Sequence, residues 1–118
     1  MTFDEAVGRT IEALKKEGFG VLTDIDVQAT LKKKLGVDFR KYRILGACNP
    51  PYAYEALKKE DKIGTMLPCN VIVQEISPGE VEVAAIDPAA SMQAVANPEL
   101  ADVALVVRQK LKNVIADL

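Results

Sequence analysis

Two short phrases hold the side chains best suited to chemistry. Cys48-Asn49-Pro50 and Pro68-Cys69-Asn70 each set a thiol beside a carboxamide and a proline, at the border of an apolar run. An ionised thiol is a nucleophile, and a carboxamide both donates and accepts hydrogen bonds, so two matched turns of this kind predict one shared site. Asp24 and Asp26, near the end of another alternating stretch, add carboxylates. Binding groups collect at the ends of elements on a rigid sheet. Cys48, Asn49, Cys69, Asn70, Asp24 and Asp26 are therefore expected to line a pocket for a small molecule.

Each of these residues also has a purely structural reading. Free cysteine is among the most buried residue types; Cys48 shares a face with Tyr42 and Ile44, and Cys69 with Leu67 and Val71, as small core residues would. Asn49 before Pro50 fits the start of a helix. Asn70 has no helix start behind it and stands in an apolar strand, where its amide is expected to satisfy a buried partner or a ligand. Tyr52 and Tyr54 are placed to line a ligand or to cover core or a dimer seam.

The composition removes whole classes of mechanism. The 118 residues include no histidine, which excludes histidine-dependent acid-base and triad chemistry within one chain. The two cysteines stand 21 positions apart with no Cys-x-x-Cys pair, so no metal site is expected. What remains for the thiols is an enzyme or redox sensor using Cys48 and Cys69. Cys48 is the better placed of the two, because a helix starts just after it. A third reading is an interaction module without catalysis. No nucleotide or other cofactor motif accompanies these residues, so the cofactor is left unassigned.

Fifteen basic against seventeen acidic residues give a net charge of −2, which offers no footprint for a polyanion, and no nucleic acid partner is expected. The triplet Lys32-Lys33-Lys34 reads as a solvated helix face. No apolar run approaches the roughly 20 residues of a bilayer span, and the opening residues lack a leader pattern. The expectation is a cytoplasmic protein with reduced thiols, no membrane segment and a single domain over residues 1–118.

Thr2 with Glu5 forms a capping box, after which Phe3, Val7, Ile11 and Leu14 recur at helical spacing until Gly18. Residues 19–26 alternate as a strand, and Asp26 caps a short basic helix from Val27 to Leu35. Tyr42 to Cys48 reads as a second strand and Pro51 to Lys59 as a helix. Strands over about Met66 to Ile76 and Val81 to Ile86 flank the turn Ser77-Pro78-Gly79-Glu80 and should pair antiparallel. Asp87-Pro88 opens a helix through about Val95. Asn97-Pro98-Glu99 opens the last one, whose stripe of Leu100, Val103, Ala104, Val107, Leu111 and Val114 should pack on the sheet. The pattern predicts a two-layer α+β fold, a mainly antiparallel sheet covered by helices.

Glu17-Gly18-Phe19-Gly20-Val21-Leu22-Thr23-Asp24-Ile25-Asp26, Tyr42-Arg43-Ile44-Leu45-Gly46-Ala47-Cys48-Asn49-Pro50, Leu67-Pro68-Cys69-Asn70-Val71 and Ala85-Ile86-Asp87-Pro88 together resemble the family called domain of unknown function 302. These are small bacterial and archaeal proteins, and the resemblance covers nearly the whole chain. It implies a two-layer α+β fold and a homodimer, and it carries no established reaction or cofactor. Members commonly begin with a strand ahead of the first helix, whereas here Thr2 already caps that helix. The sheet is thus expected to be one edge strand short. An uncovered edge and the broad apolar stripe of the last helix also favour a homodimer on physical grounds.

Overall fold

The computed structural model describes residues 1–118. Helix α1 (Phe3–Lys16) starts where Thr2 Oγ1 accepts from the Glu5 amide at 3.2 Å, as the capping-box spacing predicts. It stops at Gly18, whose φ of 86° is a left-handed conformation open to glycine at little cost; the Phe19 amide then reaches back to the Leu14 carbonyl at 2.9 Å. Strand β1 (Gly20–Asp26) follows, then α2 (Val27–Leu35), β2 (Tyr42–Cys48) and α3 (Pro50–Lys59). A 3-10 turn (Asp61–Met66) leads to β3 (Cys69–Ser77), β4 (Glu80–Ala85), α4 (Pro88–Gln93), a second 3-10 turn (Pro98–Leu100) and α5 (Ala101–Ala116). No helix is long and apolar enough to cross a membrane.

The four strands form one antiparallel sheet in the order β1-β2-β3-β4. Only β3 and β4 are joined by a tight turn; the other two connections carry helices, and strands that follow one another in the chain are still neighbours in the sheet. Alternation then sorts the side chains. Leu45 and Ala47 of β2 and Cys69, Val71 and Val73 of β3 face the helices and are buried. Two apolar clusters result. Phe3, Ala6 and Val7 of α1 close over Leu45 and Val73, while Leu14 and Phe19 join Ala47, Val71 and the α5 stripe of Val103, Val107, Leu111 and Val114. The other face of the sheet carries no helix layer, and its central row Ile25, Ile44, Ile72, Ala84 runs across all four strands in register.

The largest differences from the sequence expectation lie at two boundaries. The third strand begins at Cys69 rather than near Met66, because residues 61–66 close a 3-10 turn around the buried Ile63. Asn97 opens a 3-10 turn rather than the last α-helix: its side chain accepts from the Glu99 amide at 3.0 Å and donates to the Lys59 carbonyl at 3.0 Å, tying that turn to the end of α3. Helix α2 is unusual in burying no residue at all. It leans on β1 and β2 and stands apart from the helix layer. The radius of gyration, 15.2 Å, exceeds the roughly 13.5 Å of a compact chain of this length, as a protruding element requires.

The close approach of β1 to β2 depends on Gly46. A Cβ there would collide with Thr23 Oγ1 and lie 2.8 Å from Pro68 Cγ. Gly46→Ala is expected to cost about 1–3 kcal/mol, the range of overpacking at a filled site. The denaturant midpoint checks this, and Thr23→Ala on the same background should recover part of the loss.

Candidate functional site

Cys48 ends β2 and Cys69 begins β3, so antiparallel pairing brings the two cysteine turns to the same end of the sheet; Cys69 stands opposite Ala47, next to Cys48. Both thiols are free, Cys48 half-buried and Cys69 buried. Together with Asn49, Tyr52, Phe19 and Met92 they border a space of only about 20 Å³. That is room for about one water molecule, not for a ligand. Burial pushes the Cys69 thiol up from its ordinary value, and the neighbouring Cys48 adds a smaller push in the same direction. Less of Cys69 is thiolate at neutral pH than of a free cysteine, the reverse of what a nucleophile needs.

Asn49 is buried at the N-terminal cap position of α3, but its side chain makes no cap hydrogen bond. Pro50 and Pro51 explain this, since neither has an N–H and a cap acceptor finds little to accept. Asn49 Nδ2 instead donates to the Glu17 carbonyl at 3.0 Å, fastening the end of α1 to the end of β2. Asn49 thus stands where the helix starts, as Asn before Pro predicts, but its side chain anchors α1 instead of capping α3.

The remaining three expected residues stand elsewhere. Asn70 follows Cys69 in an extended strand, so its side chain emerges on the opposite face of the sheet; it is exposed and its side chain makes no hydrogen bond, while its backbone carbonyl accepts from the Ile86 amide at 3.1 Å. The expected buried partner of its amide does not exist. Asp24 and Asp26 lie towards the far end of β1. Gly20 opposes Cys48 but Asp26 opposes Arg43, which puts Asp26 roughly 20 Å along the strand from the cysteines at about 3.4 Å per residue. Asp26 caps α2 through the Ala29 amide at 2.9 Å. Asp24 forms a two-pronged pair with Arg43, whose Nε lies 2.7 Å from Oδ1 and whose Nη2 reaches Oδ2. No group of three His, Cys, Asp or Glu side chains converges to hold a metal ion.

Next to the cysteine turns, with Met92 as a shared wall, lies a larger opening that sequence reasoning missed. It is a groove of about 410 Å³ between α4 and the start of α5, lined by Ala89, Met92, Gln93, Ala96, Asn97, Pro98, Leu100, Ala101, Ala104 and Leu105. Small side chains leave the room: the sequence carried that signal in its run of alanines from Ala84 to Ala104. Ala96, on the groove wall, holds a φ of 57°, a left-handed conformation that costs a residue with a Cβ about 1–2 kcal/mol. Strain of this kind gathers at binding and switch regions.

The profile of the family described as domain of unknown function DUF302 matches residues 1–118. The chain belongs to this family. The crystal structure of an uncharacterized conserved DUF302 protein from Bacillus stearothermophilus is similar, with a TM-score of 0.90 and 30% identity, covering 99% of this chain and 91% of that one. No curated protein matches the chain. The DUF302 fold here is the α+β arrangement that the residue pattern predicts, an antiparallel four-stranded sheet with helices.

Two measurements bear on these assignments. With Cys48 replaced by serine, the remaining Cys69 should react with a thiol reagent at least about tenfold more slowly in the folded protein than in denaturant, because burial keeps it protonated and covered; equal rates would contradict the burial. Arg43 lowers the Asp24 pKa, chiefly through the hydrogen bond, so the pair's contribution is fully present above the unfolded aspartate value near pH 4 and fades as pH falls through the lower folded value. Asp24→Asn should remove that part of the acid dependence, at most about 1 kcal/mol for a pair this open to solvent.

Proposed function

We propose that this DUF302 protein is a small-ligand-binding domain that works as a homodimer, with the groove between α4 and α5 as its ligand site and the cysteine turns as the closed wall behind it. The observation that carries the reading is the groove itself. At about 410 Å³ it falls in the range of small-molecule pockets, and seven of its ten lining residues are apolar. Gln93 and Asn97 supply carboxamides at its border, though Asn97 already spends its side chain on Lys59 and Glu99. No charged side chain lines it, which favours an uncharged, largely apolar molecule.

The same lining argues for binding rather than catalysis. It contains no nucleophile and no acid or base, only Ala, Met, Gln, Asn, Pro and Leu. The thiol-enzyme alternative would rest on Cys48 and Cys69, of which Cys69 is buried with its pKa raised. The dimer is supported by the row Ile25, Ile44, Ile72 and Ala84, in which Ile25 is 46% exposed and Ile44 and Ile72 are half-buried.

The test uses N-phenyl-1-naphthylamine, an uncharged fluorophore, as the probe. Wild-type protein is expected to bind it with fluorescence enhancement, and Ala101→Trp, which plugs the groove from an exposed position on α5, should weaken binding at least about tenfold while leaving the circular dichroism unchanged. Binding undiminished in Ala101→Trp would overturn the assignment of the groove.

A further inference from the structure

Helix α2 and the bare sheet face present the same problem from two sides. An isolated helix shorter than about 12–15 residues is marginal in water, so the nine residues of α2 require packing, yet none is buried. Its last residue, Leu35, is 69% exposed, and the segment leading into β2 exposes Val37 by 44% and Phe39 by 37%. Five cations, Lys32, Lys33, Lys34, Arg40 and Lys41, surround these apolar tips with Asp38 as the one carboxylate. Lys32 pairs with Asp38 at 3.0 Å and the Arg40 guanidinium lies over the Phe39 ring, whereas Lys33, Lys34 and Lys41 make no ion pair.

The sheet face without helices offers the complement. Its central isoleucine row is flanked at the α2 end by Gln74 and Glu82, joined across β3 and β4 at 3.0 Å, and by the exposed Glu80. Antiparallel order sets this acidic corner and the basic arm at the same end of the sheet but on opposite edges, β4 and β1. A two-fold axis running along the strands exchanges those edges, so that each arm meets the other copy's acidic corner while the isoleucine rows meet at the centre. Size points the same way. Four strands spaced about 4.8 Å apart and about six residues long give a footprint of roughly 400 Å². A stable interface takes about 800 Å² from each partner, so the sheet face alone is too small and the exposed arm must join it.

We propose that the bare sheet face and the α2 arm form one surface on which a second copy of this chain docks face to face, each arm crossing to the Glu80–Glu82 corner of its partner. This rests on the homodimer reading above and specifies how the dimer is built. Charge pairing at the rim sets the register, and the apolar row supplies the burial.

Sedimentation equilibrium of the full chain at micromolar concentration tests it. The wild type should run at twice the 12.8 kDa chain mass. Leu35→Glu and the double variant Lys33→Glu/Lys34→Glu should each raise the dimer dissociation constant at least about tenfold, whereas Leu57→Glu, exposed on α3, should not. Adding Glu80→Lys/Glu82→Lys to the lysine variant should restore dimerisation. A dimer indifferent to the arm variants, or no rescue by the swapped charges, overturns this interface and leaves the homodimer standing. A wild-type monomer overturns both, and a monomer that pellets with phosphatidylglycerol vesicles assigns the arm to a lipid surface instead.

Discussion

A single hydrogen bond inside the molecule, from the buried Asn49 amide to the Glu17 carbonyl, fixes where three elements meet. The end of α1 leaves a carbonyl without a helical partner, and the end of β2 must turn at once into α3. Asn49 meets both needs by filling the space beside Gly18, where a Cβ would stand only 3.2 Å from its Nδ2. The geometry of the cysteine turn at the end of β2 follows from that anchorage. An orphaned buried carbonyl costs about 1–3 kcal/mol, so substitution at Asn49 loosens the sheet end as a whole rather than one contact.

Helices and strands were legible because their causes are local. The Thr2 and Asp26 caps, the Gly18 stop and the alternation in β2 and β3 all work within a few residues and appear where the residue pattern places them. The candidate site was legible only in part. Cys48, Asn49 and Cys69 come together because strand neighbours in an antiparallel sheet share an end. Asn70 parts from Cys69 for an equally simple reason, since adjacent residues in a strand point to opposite faces. Asp24 and Asp26 depart because the end of β1 pairs with the start of β2, a consequence of strand direction that membership of a strand end does not convey.

The groove escaped notice for a different reason. Motif reasoning searches for reactive groups, whereas the groove is defined by what its alanines lack. Side-chain volume is invisible until the backbone trace shows that α4 ends early, the chain turns at Ala96 with a positive φ, and α5 starts at a distance the small side chains do not fill. Space of this kind belongs to the packing of elements, not to any one of them. The cysteine turns teach the converse: conspicuous chemistry at matched positions closed into a wall with room for about one water molecule.

The register slip in β1 between Val21 and Thr23 has its own consequence. A bulge twists an edge strand and breaks the even row of donors and acceptors that another chain would need for pairing. Asp24 and Asp26 add charge along the same edge. The sheet therefore terminates itself: a further strand cannot zip onto β1, and assembly by open-ended strand addition, the route to fibrils, is blocked on that side while the flat face stays available for closed pairing.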